Sequence, residues 1–172
     1  QDVVIQNFAP YPVLYVNAAV ITMTINVGAQ ISLSDKELSV SGDFQNDGML
    51  NSDTGTLKFD GEISISVQSS GGTLYRIVIN KGSGGLDINI LLTSTSTLTI
   101  QNELLIQSGS FQLQRGTVVS QGPIRITSNQ AALKLKNGTT VTAEGNVDLT
   151  GGGVVDFLGE SGLLKIGGAL TL

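Results

Sequence analysis

Apolar and small polar residues alternate along nearly the whole chain, in short runs that glycine, asparagine or aspartate interrupts. The clearest runs span residues 21–25, 63–67 and 133–135, where every second residue is apolar. Side chains of a strand point alternately to its two faces, so these runs predict strands with one buried face. No stripe of helical period with capping residues stands out. The sequence therefore predicts an all-β protein.

The strands recur at a fixed interval in the C-terminal half. Three segments of similar pattern begin at Phe111, Leu133 and Val155, 22 residues apart each time. A compact unit recurs within them, in which a glycine (Gly122, then Gly145) precedes two alternating apolar residues. Weaker copies are centred on Gly42, Gly61, Gly85 and Asn102. A unit of about 20 residues cannot bury its own apolar face, but stacked copies can.

This periodicity predicts a parallel, right-handed β-helix, or β-solenoid, with coils of roughly 20–22 residues. Each coil would pair its backbone with the coils above and below it. Alternate side chains would fill a narrow interior, and glycine or asparagine would form the corners. An antiparallel β-sandwich also has short strands and frequent turns, but it needs no constant period. The solenoid is therefore the favoured architecture, and the sandwich is the alternative.

Residues 1–20 fit the repeat least well, because they hold two of the three prolines and three of the eight aromatic residues. They predict an N-terminal cap or an irregular first coil, since a solenoid needs covered strand edges. A ligand groove lined by Phe8, Tyr11 and Tyr15 is the alternative. Residues 21–172 are expected to form solenoid repeats. The pattern is still open at the final GGALTL, so the repeats are expected to continue beyond Leu172 in the native protein.

The composition excludes several kinds of chemistry. Histidine and cysteine are absent, so the chain can form neither a histidine-dependent catalytic triad nor a disulfide. The net charge is −5, and nine Lys and Arg residues spread along the chain make no basic patch, so no nucleic-acid binding is expected. The most apolar stretch, residues 11–27, is broken by Pro12 and polar residues. No membrane insertion is therefore expected.

The segment DFQNDG, residues 43–48, offers the best candidate for a metal site. Asp43, Asn46 and Asp47 could present oxygen atoms to calcium. The segment lacks the regular ligand spacing and the terminal glutamate of a dedicated calcium loop. An Asx-rich corner that ends at Gly48 is the preferred interpretation, and no metal site is predicted.

Carboxylates are the remaining candidates for catalysis. The densest groups are Asp43, Asp47 and Asp53, followed by Asp60 and Glu62. A polysaccharide-cleaving site would need two or three carboxylates on one face with a cation nearby. Solvated turns explain these scattered residues better. We predict no catalytic residue, no cofactor and no enzymatic activity.

Several segments together resemble a repeat type of large exported proteins of Bacteroidetes bacteria. The similarity lies in INVGAQISL (25–33), ELSVSGDFQNDGML (37–50), GTLKFDG (55–61), GTLYRIVINKG (72–82) and STLTIQNELLIQSGSF (96–111). It covers most of residues 1–115 and continues less specifically to the C terminus. The resemblance implies a secreted or outer-surface protein exported by the type IX secretion machinery. Members of this group include adhesins, among them surface proteins of gliding bacteria.

These observations lead to a functional expectation with two alternatives. The chain is expected to be a non-catalytic structural or adhesive segment of a large extracellular protein, acting as a rigid stalk or display surface in adhesion or gliding. Expected partners are the type IX machinery during export, and surface glycans or other cell-surface proteins afterwards. The alternatives are a polysaccharide-active β-helix enzyme and a binding module for glycans or ice.

Overall fold

The computed structural model describes residues 1–82, 86–159 and 161–172, and within these ranges the protein is all β, without a helix. Short strands wind into about eight coils that stack in parallel, with turns about 22 residues apart. The predicted parallel β-solenoid is therefore confirmed, and the sandwich alternative is wrong. The right-handed winding stays a prediction. None of the described segments is a helix long and apolar enough to cross a bilayer.

Each coil has three faces, and the coils are numbered one to eight from the N terminus. The first face, where every coil begins, consists of β1 (Val3–Ile5), β3 (Met23–Ile25), β6 (Phe44–Asn46), β9 (Ile65–Ser69), β11 (Asp87–Leu92), the end of β12 (Thr97–Arg115), β15 (Ala131–Leu135) and β18 (Val154–Asp156). The second face consists of β4 (Gln30–Ser32), β7 (Met49–Asn51), the start of β10 (Gly72–Asn80), the start of β12, β13 (Thr117–Ser120), β16 (Thr140–Ala143) and β19 (Leu163–Ile166). The third face consists of β2 (Ala18–Val20), β5 (Glu37–Val40), β8 (Thr56–Phe59), the end of β10, the middle of β12, β14 (Ile124–Ile126), β17 (Val147–Asp148) and β20 (Leu170–Thr171).

The backbone register matches the sequence repeat residue by residue. Phe111 pairs with Leu133, and Leu133 pairs with Val155, so the three predicted repeat starts lie on top of one another. In the compact unit, Ile124 pairs with Val147. Parallel strands lie about 4.8 Å apart, so seven steps between eight coils give a stack about 34 Å long.

A column of small corner residues lets the coils approach. A Cβ atom built on Gly122 would lie 1.5 Å from the carbonyl oxygen of Asn102, and one on Gly145 would lie 2.8 Å from the carbonyl carbon of Gly122. Gly168 continues the column against Gly145.

Gly42 and Gly61 occupy a different corner, nearer the N terminus, between the third face of one coil and the first face of the next. There Gly61 packs on Ser41. Gly85 lies outside the described residues.

The alternation of the sequence places one apolar set inside the coil. Among the described residues, thirty-four buried hydrophobic residues form one continuous core, from Met23 in coil two to Val147 in coil seven. Branched aliphatic residues dominate it, and the rings of Phe44 and Phe59 meet edge to face with centroids 5.9 Å apart. Residues 1–20 supply β1, β2 and a single bridge from Val13 to Ser32, and they pair with coil two. The boundary predicted at residue 20 stays a prediction.

Candidate functional site

The three candidate calcium ligands lie along β6 and its flanks, but they face opposite sides of the strand. Asp43 and Asp47 are exposed, whereas Asn46 is only 6% exposed and faces the interior. Asp43 accepts a hydrogen bond from the Ser66 amide at 2.8 Å, and Asp47 accepts one from Gln45 Nε2 at 2.5 Å. The structure therefore does not bring the three oxygen donors together.

The remaining candidate carboxylates lie in or next to the turns between strands. Asp53 Oδ2 accepts a hydrogen bond from Ser32 Oγ at 2.8 Å, and Asp60 Oδ2 lies 3.6 Å from Lys58 Nζ. Glu62 is exposed beyond β8. Among the described residues, no three acidic side chains are grouped so that they could hold a metal ion.

The aromatic residues near the N terminus differ in their surroundings. Tyr11 Oη lies 2.7 Å from Asn7 Oδ1 and 3.1 Å from the Gly28 carbonyl oxygen, so it fastens coil one to a corner of coil two. Phe8 and Tyr15 are 76% and 83% exposed. The ligand groove suggested for these three aromatic residues stays an alternative prediction.

A charged cluster crosses three coils on the third face. Glu103 is 8% exposed, and its carboxylate lies 2.7 Å from Arg76 Nη2 and 3.2 Å from Arg125 Nη1. Arg76 Nε also donates to it at 2.8 Å. Because both cations are held by one carboxylate, the cluster clamps coils four, five and six together.

A second polar cluster contains a serine and a lysine, the residue types of one class of nucleophilic site. Ser110 Oγ donates to Asp87 Oδ1, and Lys134 Nζ lies 2.7 Å from the same oxygen. Ser110 is 2% exposed. A nucleophilic serine needs an accessible hydroxyl next to a free base. This hydroxyl is buried and donates to a carboxylate, so the cluster ties coils five to seven together.

Lys81 is a buried cation at the end of β10. It is 1% exposed, and its Nζ donates to the carbonyl oxygen of Asp60. Burial lowers the pKa of the Lys81 ammonium, while the charges of Asp60 and Glu62 oppose that shift. Desolvation disfavours the charged form of a lysine, and the two carboxylates favour it. The side chain therefore anchors the corner that leads from coil four into coil five.

An interior cavity of about 440 Å³ in coils three to five has room for a ligand. Phe44, Phe59, Leu74 and Leu98 form part of its mostly apolar wall. Exposed residues also line it, namely Met49, Asn51, Gly72 and Thr73. The cavity therefore opens to solvent through the second face, between β7 and the start of β10.

The segment of coil four that connects the first face to the third is shorter than in the neighbouring coils, which explains the opening. Phe44, Val67 and Ile90 are register partners on the first face, and Leu57, Ile77 and Leu104 are register partners on the third. The chain takes 13 residues from the first to the third face in coil three, 10 in coil four and 14 in coil five. Coil four therefore connects the two faces by a shorter path than coils three and five do. Within the described chain, no backbone ladder joins β7 to the start of β10.

Asn46 is the polar group that this cavity wall buries. Its Oδ1 accepts no hydrogen bond, and no other buried side-chain oxygen or nitrogen of the described residues shares that condition. In the register of the first face, Ile25 precedes Asn46, and Ser69 and Leu92 follow it. Two polar residues thus interrupt an otherwise apolar inner row, both in the cavity wall.

Sequence reasoning missed this site, although a signal was present. In residues 44–46 the inward positions are those of Phe44 and Asn46, two residues apart, so the alternation itself places Asn46 inside. The composition of DFQNDG favours an exposed corner instead. The position of Asn46 within the alternation is the better guide.

Comparisons of the chain with known protein families, with curated proteins and with solved structures found no match. A function for the chain therefore has to be argued from the geometry of the β-solenoid, its polar clusters and its cavity.

Proposed function

We propose that this chain is a rigid structural segment of a secreted or cell-surface bacterial protein, which holds other parts of that protein away from the surface. The observation that carries the proposal is the unbroken third face. Its backbone register runs through all eight coils, from Ala19 to Thr171. Bending such a stack would break several parallel ladders at once, so the segment resists bending.

The side-chain clamps support the same proposal. Glu103 joins coils four to six through Arg76 and Arg125, and Asp87 joins Ser110 to Lys134 across coils five to seven. Each clamp links residues from three consecutive coils of the stack. Such contacts oppose sliding of one coil over the next.

The resemblance to Bacteroidetes exported proteins supplies the proposed setting. We place the segment outside the cell, exported by type IX secretion, with surface glycans or other surface proteins as partners. Cell fractionation and protease treatment of intact producing cells test this setting. The proposal expects the protein at the outer surface or in the medium, and retention inside the cell would contradict it.

A pulling experiment tests the mechanical part. With cysteines at Ala19 and Thr171 as handles, the chain is expected to keep its length under increasing load until coils unravel abruptly. An extension that grows smoothly from zero load would contradict a rigid segment.

The enzyme alternative has its own test. Acidic and neutral polysaccharides incubated with the protein should release no new reducing ends. Turnover by the wild-type chain that Asp43→Ala or Asp60→Ala abolishes would overturn the non-catalytic proposal. A glycan array run on the same preparation tests the binding-module alternative.

A further inference from the structure

The cavity of coils three to five has the size of a small-molecule site. Its volume of about 440 Å³ lies within the range of about 300–1,000 Å³ that is common for ligand pockets. At about 30 Å³ for a water-sized group, it would hold up to about 15 such groups. A ligand of about ten non-hydrogen atoms would therefore fit with room to enter.

Asn46 shows what the ligand must offer. Its Oδ1 is buried and has no hydrogen-bond donor. An unsatisfied buried acceptor costs a protein about 1–3 kcal/mol. Ile25 holds the equivalent position in the preceding coil, so the fold itself does not require a polar residue there. Asn46 is one of the residues that line the cavity, so its uncommitted oxygen is suited to accept a hydrogen bond from a bound molecule.

The rest of the wall defines the remaining chemistry. None of the side chains that line the cavity is charged. An ionised group would therefore lose its hydration without gaining an oppositely charged partner, which is costly. Phe44, Phe59, Leu74 and Leu98 offer apolar surface instead. The matching ligand is uncharged, mainly apolar and carries one donor.

We infer that the cavity binds a neutral aliphatic alcohol, or a molecule with the same chemistry, whose hydroxyl donates to Asn46 Oδ1. The molecule enters between β7 and the start of β10, where the backbone ladder is absent. Its chain lies among the apolar residues of coils three to five. This binding site is independent of the rigid role proposed above, and either can fail without the other.

Three probes of similar size test the inference on the folded wild-type chain by titration calorimetry. Octanol carries the hydroxyl, octyl methyl ether lacks the donor, and octanoate carries a charge. Octanol is expected to bind about tenfold more tightly than the ether, which is the effect of one hydrogen bond to an otherwise unpaired buried oxygen. Octanoate is expected to bind more weakly than either at neutral pH, because the wall offers it no cation.

A matched pair of variants locates the site. Asn46→Val removes the acceptor and should bring the octanol-to-ether affinity ratio close to one. Gln45→Leu changes the exposed neighbour on the same strand and should leave the ratio unchanged. Circular dichroism and denaturant unfolding of both variants check that they are folded. Asn46→Val should be at least as stable as the wild type, since it loses an unpaired buried amide oxygen.

Four outcomes would overturn the inference. These are no binding of octanol to the folded wild type, equal affinity for octanol and its ether, an unchanged ratio in Asn46→Val, and octanoate binding as tightly as octanol. If a water molecule occupies Asn46 and octanol does not displace it, the experiment gives the first of these outcomes. The wild-type comparison of octanol with its ether stands even if Asn46→Val does not fold.

Discussion

Coils six and seven have fully buried inward residues, whereas coils three to five, built from the same three faces, enclose a cavity. In coils six and seven the inward residues Phe111, Leu133 and Val141 are fully buried, and successive coils repeat every 22 or 23 residues on the first and second faces. In coils three to five the step along the third face changes from 20 residues, between Leu57 and Ile77, to 27, between Ile77 and Leu104.

The difference shows that a solenoid can keep its backbone register while its interior packing changes. Two faces carry the ladders through the irregular coils, and only the second face is interrupted there. A constant number of residues per coil is therefore needed more for close packing of the interior than for backbone pairing between coils. The irregular coils gain space for a ligand, and the regular coils gain van der Waals contacts.

The largest expected effect comes from truncating one phenylalanine in each region. Phe111 is 0% exposed and Phe59 is 1% exposed, but only Phe59 borders the cavity. Phe111→Ala should lower the free energy of unfolding by about 4–5 kcal/mol and Phe59→Ala by about 3 kcal/mol, because Phe59 has fewer packing partners to lose. Denaturant unfolding followed by circular dichroism measures both. Equal losses, or a larger loss for Phe59→Ala, would mean that the two regions do not differ in packing.

A smaller effect is expected from the corners of the regular coils. Gly122→Ala places a methyl group against the Asn102 carbonyl and should cost about 3 kcal/mol, because the coils must separate. Gly138→Ala is the matched control, since its φ is +74° but nothing lies within 4 Å of the added atom. It should cost about 1 kcal/mol, the strain of the left-handed conformation alone. A greater loss for Gly138→Ala would contradict close stacking at Gly122.

The clamp at the border of the two regions comes next. Glu103→Gln removes the charge that Arg76 and Arg125 share and should cost about 1–2 kcal/mol. Glu144→Gln changes an exposed glutamate and should stay within about 0.5 kcal/mol of the wild type. Thermal unfolding at low salt compares the two variants. If both variants lose the same amount of unfolding free energy, the clamp does not stabilise the stack.

The smallest effect is the pH dependence of Lys81, in the corner of the irregular region. Burial lowers its pKa from 10.5. As the pH rises, the folded protein therefore releases this proton before the unfolded chain does. Between the two pKa values the unfolded state binds more protons, so this group makes the folded state more stable as the pH increases. Below both values the cost of burying the ammonium is fully present.

A comparison of wild type with Lys81→Met isolates this contribution. The free energy of unfolding of the wild type, relative to that of the variant, should rise from neutral pH towards pH 10.5, the usual pKa of lysine. Unfolding curves taken at several pH values in this interval provide the measurement. A relative stability that falls over the same interval would contradict burial of a charged amine at this corner.

The sequence predicted the regular coils closely because their physical constraints are local and repeated. Phe111, Leu133 and Val155 are register partners as the 22-residue interval required, and Gly122 and Gly145 stack as the compact unit required. In a stack with constant coil length, the residue that lies one period later in the chain is also the spatial neighbour. A repeat in sequence then becomes a contact in space.

The cavity could not be predicted in the same way, because it depends on the difference between three successive coils. The short path between Val67 and Ile77 is visible only once the register on both faces is known. The sequence marks Asn46 as a candidate ligand, but for a solvent-facing metal. Its inward direction agrees with the alternation, whereas its unpaired oxygen is visible only in the structure.

The most direct test of the stack is a spin-label ruler along the third face. One label is fixed at Ala19, and the second is moved to Arg125, Asp148 or Thr171, which lie five, six and seven register steps away. Electron–electron double resonance should then give single narrow distances of about 24, 29 and 34 Å, growing by one strand spacing of about 4.8 Å per coil. Broad distributions, or distances that do not increase in this order, would contradict a continuous parallel stack.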